Sequence, residues 1–377
     1  MTIEFDFLND PVLLTLVGIF IISLLVQLIY FWVVFGKLAF YKKKQTLKAQ
    51  PPVTVVITAH NQYNDLRQNL PYLLEQDYPE FEIMVVNDNS DDGSGELLTD
   101  LSRQYSNLSI VELKQSLNWF SGRKFPLSLG IKSARYDLLI LTDTICRPVS
   151  KRWIKEIVAI HTPETDIALG YSTFDTKSKI NLWFRFSAFY DGLFYLSMAL
   201  AGKPFKGIGK NLSYTKQLFY NHKGFSSHYK INLGDDEIFI NQTANKRNTN
   251  IQISQHSKVA VVKSMSFSNW VKSERTRIFI RRFFKTGSRF LISLYHSTAF
   301  LFFATFASLL LLKFNWMMVL PLFGLRLISQ YIIFGLAAKK LTEKGLLLFS
   351  PLLEVFLVFF DFLIWFAMIF SRKKKWA

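Results

Sequence analysis

The chain predicts an α/β fold, a mostly parallel sheet flanked by helices, set between one N-terminal membrane helix and a C-terminal block of membrane helices. Three observations carry that expectation. Short β-branched runs alternate with helix-like segments from residue 53 to about 142, the pattern of repeated βαβ units. Long apolar runs stand on either side of that region. The 377 residues are 50% apolar and 19% charged, with mean hydropathy +0.18, too hydrophobic for one ordinary soluble domain and too charged to be membrane throughout.

Residues 12–34 carry no charged side chain and, at about 1.5 Å per residue, can cross a hydrocarbon core of roughly 30 Å. A cleaved signal peptide fits less well: the run is too long, Glu4, Asp6 and Asp10 precede it, and no small-residue cleavage site follows. Lys42, Lys43, Lys44 and Lys48 come next, and such an excess marks the cytoplasmic flank, so the N-terminus is expected outside and the middle region in the cytoplasm. The expected divisions are an anchor at 1–45, a cytoplasmic domain at 46–267, an interfacial amphipathic helix at 268–288 and a membrane block at 289–377. The net charge of +17 calls for no nucleic acid, because much of it sits beside the membrane segments, where each cation near an anionic leaflet contributes about 1 kcal/mol. A single cysteine, Cys146, leaves neither a disulfide pair nor a cysteine zinc site, in keeping with a reducing compartment.

After a polar linker at 45–52, strands are expected at 53–59, 81–86, 108–113 and 136–141, with helices at 66–76, 95–105 and 123–133 between them. Ligands of such a sheet bind at the carboxyl ends of its strands. The next stretch is less regular: a strand at 167–171, an aromatic helix at 182–200, a glycine-punctuated run at 202–209 and a helix from near Gly234. Residues 269–284 set Lys272, Arg275, Arg277, Arg281 and Arg282 among apolar side chains and lead directly into a membrane span. That favours a helix lying in the interface over a solvated one. Spans at 290–312 and 316–338 form a hairpin. The segment 346–370 is long enough for another crossing, but basic residues flank it on both sides, including those at 372–375, and Pro351, Glu354 and Asp361 interrupt it. The reading leans to a re-entrant or interfacial segment, with a plain third crossing beside it. Arg326, midway along its span, needs a partner, since an unpaired charge there costs at least roughly 2.5 kcal/mol. Glu354 and Asp361 are the candidates.

Five motifs remain. VTVVITAHN at 53–61 and VVNDNSDD at 85–92 put Thr58, His60 and Asp88 at the ends of two neighbouring strands, where a nucleotide base and ribose would find donors and acceptors. An Asx-rich turn accounts for either segment alone. GRKFPLSLG at 122–130 sets Arg123 and Lys124 at a helix start, where dipole and free N–H groups favour an anion such as diphosphate; a surface turn with two solvated cations is the plain counterpart. LLILTDTICRP at 138–148 is a buried strand ending in Asp143. LGDDEIF at 233–239 gathers Asp235, Asp236 and Glu237 at a helix start, as capping charges or as carboxylates that raise one another's pKa.

As an ordered set these motifs resemble the inverting family 2 glycosyltransferases of GT-A fold, over roughly residues 52–280. The resemblance implies a nucleotide-sugar donor, UDP-linked, with Asp88 as the nucleoside-binding carboxylate and Asp143 as the first residue of an Asp-x-Asp pair. The second Asp, the more direct ligand of Mn²⁺ or Mg²⁺, is Ile145 here, so the metal is held by Asp143 with phosphates and water, or cations such as Arg123 and Lys124 take over, or activity is lost. The segment at 200–214 is similar to the family's stretch beside the donor sugar. There Gly209 would permit close backbone approach and Asn211 would bond a sugar hydroxyl; a structural glycine loop is the alternative. By the same match Asp235 is the base that deprotonates the acceptor, with Asp236 next to it and Glu237 as an acceptor contact. ERTRI at 274–278 stands where processive members carry Gln-x-x-Arg-Trp. Glu274 and Ile278 replace the Gln and the aromatic platform, while Arg275 and Arg277 remain to meet diphosphate. The expectation is a membrane-anchored inverting hexosyltransferase, in the plasma or inner membrane if bacterial, that moves a sugar to a lipid or lipid-linked hydroxyl. A processive polysaccharide synthase and an inactive membrane scaffold are the alternatives.

Overall fold

The computed structural model describes residues 10–42, 49–114, 122–174, 182–263 and 265–370. Lys43, Lys44, Lys48 and the basic tail at 372–375 lie outside the described residues.

Helix α1 (Pro11–Ile29) begins at Asp10, whose carboxylate accepts from the N–H groups of Val12 and Leu13 at 2.9 and 3.2 Å. Proline follows at the first helical position, where its missing N–H costs no bond. A π-helical turn at Tyr30–Phe35 carries the chain into α2 (Gly36–Ala39), so one apolar rod runs from Pro11 to Ala39.

The soluble part opens as expected, with β1 (Val53–Ala59), α3 (Tyr63–Leu74), β2 (Phe81–Asp88), α4 (Ser94–Gln104), β3 (Leu108–Leu113), α5 (Lys124–Ser133) and β4 (Leu138–Leu141). β1 pairs parallel with β2 and β4, and β2 with β3. Val, Ile and Leu dominate β1 and β4, and apolar residues make up most of β2, because helices cover both faces of such a sheet. α5 seats closely enough that a Cβ on Gly130 would lie 2.8 Å from Val56 and Val86.

Next come β5 (Cys146–Pro148), α6 (Trp153–Val158), β6 (Ile167–Leu169), β7 (Ser172–Phe174), α7 (Leu182–Leu200), β8 (Leu212–Thr215), α8 (Lys216–Asn221), α9 (Asp235–Thr243), β9 (Thr249–Ile251) and β10 (Val259–Val261). The main sheet has the order β3-β2-β1-β4-β8-β6-β9, with β8 antiparallel to β4 and β6; β5, β10 and β7 form a small second sheet. The strand expected at 167–171 is shorter, β6 ending at Leu169, and the next strand, β7, starts at Ser172 in the other sheet. They part at Gly170, which lies so close to Asn211 that no Cβ fits.

Helix α10 (Phe267–Ile280) ends sooner than expected. The chain leaves it through one 3₁₀ turn at Arg281–Phe283, and the Lys285 N–H donates to Asn241 Oδ1 at 2.7 Å. Then follow α11 (Thr286–Leu311), α12 (Trp316–Lys340) and α13 (Ser350–Phe370). With the rod at Pro11–Ala39, these three make four helices long and apolar enough, by length and composition, to cross a membrane.

The four pack as a bundle. The Gln27 amide donates to the Tyr295 carbonyl and Thr298 Oγ1, and Phe20 stacks on Phe302 at 5.0 Å, so α1 and α11 run antiparallel. On α13, Glu354 lies beside Tyr295 and Phe359 and Phe362 lie beside Phe300, which makes α13 parallel to α11. The re-entrant reading of 346–370 is corrected here, because from Ser350 onward the segment is one unbroken helix that accompanies α11. The three residues that seemed to interrupt it have ordinary reasons. Pro351 occupies the first turn, and Glu354 and Asp361 point inward to cations.

Arg326 and Glu354, 2% and 0% exposed, form the buried pair, with both carboxylate oxygens 3.1 Å from the same guanidinium nitrogen. Gln27 Oε1 accepts from it as well at 3.1 Å, and the rings of Phe31, Phe302 and Phe303 surround the charge. The loop after α12 docks on the soluble domain through Glu343, which accepts from Tyr171, Thr173 and Arg185 at 3.0, 2.6 and 3.1 Å. Glu354→Ala strands Arg326 and is expected to lower stability by about 3–5 kcal/mol, whereas Arg326→Met with Glu354→Leu restores most of it. Unfolding of the detergent-solubilised chain, followed by circular dichroism, measures both.

Candidate active site

Because β1, β2 and β4 are parallel neighbours, their carboxyl ends share one edge. The turns that follow β1 and β2 are laced together. Asn61, at φ 52°, donates its N–H to Ser90 Oγ at 3.0 Å and accepts from the Asp91 N–H at 2.9 Å. His60 Nδ1 donates to the Asp88 carbonyl at 2.6 Å. Burial raises the Asp88 carboxyl, with His60 acting against it.

Arg123 bridges the ends of β1 and β4. Its Nε donates to Thr58 Oγ1 at 3.0 Å, one terminal nitrogen donates to the Thr142 carbonyl at 3.3 Å, and the other lies 3.8 Å from the Asp143 carboxylate. Burial works against its charge, but Asp235, Asp236 and Asp143 outweigh burial and hold its proton more firmly than usual. α9 brings two of those carboxylates in: it starts from Gly234 at φ 71° and carries Asp235, Asp236 and Glu237 in its first turn. Asp236 is 6% exposed, and burial and then Asp235 push its carboxyl well above the usual range. A Cβ on Gly209 would run into the Asp236 carboxylate, so that position demands glycine. Asp235 Oδ2 and Asp236 Oδ1 are buried without a hydrogen-bond partner, which is unusual in a folded interior and leaves acceptors free for a ligand proton. Asp143, Asp235 and Asp236 therefore gather around one guanidinium, on the sheet edge that also ends in Asp88.

Three expected contacts are corrected. Lys124 faces inward, and its Nζ donates to the carbonyls of His228 at 2.9 Å, Leu233 at 3.2 Å and Ile231. All three donors are used, so it braces the chain leading to Asp235 and is not a diphosphate cation. Asn211, 1% exposed, donates to the carbonyls of Tyr171 and Ser257 and accepts from Trp153 Nε1, so its amide has nothing left for a sugar hydroxyl. Arg277 is paired with Glu274 and lies 3.5 Å from both Asp191 and Asp361, which makes it the hub of a carboxylate cluster. Arg275 lies half-buried on the same helix. Burial pushes Glu274 up to about 7 against the pull of Arg277.

Two site residues were not singled out from the sequence. Lys206 holds Asp191 at 2.8 Å and approaches Glu237 at 3.9 Å, and both line a small cavity with Arg277. A lone Asp inside the aromatic run 182–200 was the available signal, of the same kind as Arg326 in its span.

Ile145 turns its side chain to the apolar core and offers only its N–H, 3.3 Å from Asp143 Oδ1. Among the described residues no group of three or more His, Cys, Asp or Glu is placed to hold a metal ion. Asp143 is thus a single carboxylate, and a divalent cation there would draw its remaining oxygen ligands from diphosphate and water.

Residues 13–377 match the model of the family described as Glycosyl transferase family 21. The chain belongs to that family. The membership makes it a glycosyltransferase, and the resemblance to family 2 gives way to family 21. The family 21 chain is 33% identical over 104 residues to the probable glycosyltransferase YdaM of Bacillus subtilis, 27% of this chain and 24% of that one. It is 26% identical over 91 residues to the poly-beta-1,6-N-acetyl-D-glucosamine synthase of Staphylococcus epidermidis, 24% of this chain and 21% of that one. The match therefore spans about a quarter of the length of these curated relatives. Among solved structures it is similar to a mannosyltransferase from Pyrobaculum calidifontis in complex with GDP-Man and Mn²⁺. The TM-score is 0.59 at 16% identity, over 88% of this chain and 99% of that one, which establishes the GT-A-like fold.

If Lys124 is a brace, Lys124→Met uncaps three carbonyls and lowers stability by about 1–3 kcal/mol without weakening nucleoside diphosphate binding, as isothermal titration reports. Burial also draws the Lys124 ammonium down to about 8. A depressed lysine gives stability that is present above its unfolded value and lost as pH falls through the folded one. The wild type should therefore gain stability as pH rises from about 8 to 10.5, and the variant should not.

Proposed function

We propose that this family 21 enzyme transfers a sugar, with inversion, from a UDP-linked donor to a hydroxyl of a lipid or lipid-linked acceptor, at the cytoplasmic face of its membrane. The observation that carries the reading is the pair of buried, unpartnered carboxylate oxygens of Asp235 and Asp236 beside Arg123 and Asp143, at the strand ends where a GT-A-like sheet takes its ligand.

In this reading Asp88, Thr58 and His60 receive the nucleoside. Arg123, preorganised across β1 and β4, offsets the charge that develops on the diphosphate as the bond to the anomeric carbon breaks. Asp235, with Asp236 beside it, takes the proton of the acceptor hydroxyl as its oxygen attacks from the opposite face. Asp235 Oδ2, buried without a partner, is free to accept that proton. Gly209 leaves room for the Asp236 carboxylate, and Glu237, steered by Lys206, positions the acceptor. When bound, a divalent cation would add positive charge to the leaving group, with Asp143 as its protein ligand. Ile278 is buried where processive members carry the platform Trp, which favours a single transfer over processive synthesis.

The test supplies the full chain in detergent with UDP-sugars and GDP-mannose, solubilised lipids, and Mn²⁺, Mg²⁺ or EDTA. Asp143→Ala, Asp235→Ala and Asp236→Ala are each expected to reduce nucleoside diphosphate release by about 10²–10⁴-fold. Equal silence of wild type and variants would support the scaffold reading, and long products from one donor the synthase.

A further inference from the structure

Lys210 stands across the end of the sheet from Asp143. β4 and β8 pair antiparallel with Leu141 opposite Leu212, so two residues farther out Asp143 lies on one side of the pair and Lys210 on the other. The Thr142 hydroxyl donates to the Lys210 carbonyl at 3.0 Å, while the Thr142 carbonyl accepts from Arg123 at 3.3 Å. Arg123 and Lys210 thus flank the residue that leads into Asp143. On its other side, Lys210 follows Gly209, which lies so close to the Asp236 carboxylate that no Cβ fits. Its backbone is therefore fixed between the Asp143 turn and the first turn of α9.

The side chain of Lys210 differs from the other cations of the cleft. Arg123, Lys124 and Lys206 spend donors on protein acceptors, whereas the half-buried Lys210 ammonium has no hydrogen bond or ion pair among the described residues. Its charge reaches the turn that carries Asp143: after burial it is the strongest influence on the Cys146 thiol, ahead of Asp143 itself. Cys146 is no counter-ion, because burial pushes its thiol up to about 12 and keeps it neutral. A half-buried ammonium without a partner is a place for an anion, and lysine meets phosphate as a compact point charge. In that same turn Ile145 supplies no oxygen ligand. Beside a diphosphate, a carboxylate together with a divalent cation leaves one positive charge, and isoleucine together with lysine leaves the same.

We propose that Lys210 is a diphosphate-binding residue of the donor site, its ammonium meeting the phosphate oxygens beside Asp143 and supplying there the positive charge that position 145 no longer recruits. This rests on the transferase reading and adds a residue to it. As the bond between the anomeric carbon and the diphosphate oxygen breaks, its electron pair stays on the diphosphate, where Lys210 and Arg123 offset it. The acceptor oxygen bonds to the anomeric carbon and its proton passes to Asp235. Lys210 neither gives nor takes a proton.

UDP and uridine, titrated calorimetrically into the full chain in detergent with EDTA, test this, with GDP and guanosine run in parallel. The diphosphate should bind about tenfold tighter or more than its nucleoside. Lys210→Met should remove most of that margin and leave nucleoside affinity unchanged, and Lys210→Arg should keep it. The unfolding midpoint confirms that each variant is folded, and Lys210→Gln repeats the test where methionine upsets the fold. A margin unchanged by loss of the ammonium, an equal loss of nucleoside and diphosphate affinity, or a margin that appears only with Mn²⁺ would overturn the proposal and leave the transferase standing. Failure of both diphosphates to bind, with or without Mn²⁺, would count against both.

Discussion

A single guanidinium holds the catalytic end of this protein together. Carboxylates crowded into a dry cleft repel one another and lose hydration, so they stay there only beside a fixed cation. Arg123 is that cation, and it is fixed because both strands beneath it bind it, through the Thr58 hydroxyl and the Thr142 carbonyl. The rest of the cleft is arranged around it. Gly234 and Gly209 let the α9 turn and the neighbouring loop approach closely, and Lys124 ties down the chain that leads into α9. The same device recurs toward the bundle, where Arg277 serves Asp191, Glu274 and Asp361, and within it, where Arg326 serves Glu354.

The first half of the sheet was legible because βαβ units announce themselves twice, by hydrophobic runs of strand length and by amphipathic segments between them. β1, β2 and β3 fall close to their expected limits. β5, β7, β9 and β10 were not legible, because strands of three residues have no period to read and exist only through pairing with distant chain. The site divides in the same way. Asp88, Asp143 and Arg123 lie at the ends of readable elements, and the fold brings those ends to one sheet edge. Lys124 and Asn211 were assigned to ligand because a polar side chain near a strand end looks alike whether it faces the cleft or the backbone behind it. Only the three-dimensional course of residues 228–233, and of Tyr171 and Ser257, shows that their hydrogen bonds are already spent.

In the membrane block, sequence and structure part at α13 for a physical reason. Charge inside an apolar run reads as an interruption while its partner is unknown, and Glu354 and Asp361 find theirs on α12 and α10, elements separated from them by loops and turns. Once paired, these residues specify how the helices fit together and cease to argue against a continuous helix. Arg326 gave the complementary signal correctly, since a lone cation midway along a span demanded a carboxylate elsewhere.

Glu343 has a further consequence. By gripping Tyr171, Thr173 and Arg185 from the loop between α12 and α13, it fastens the small sheet and α7 to the helical bundle. In the proposed reading, the cleft is thereby held at a fixed distance from the helical bundle. For the proposed lipid acceptor this means arrival by lateral drift in two dimensions, so that the thickness and fluidity of the host membrane become, in effect, parameters of the reaction.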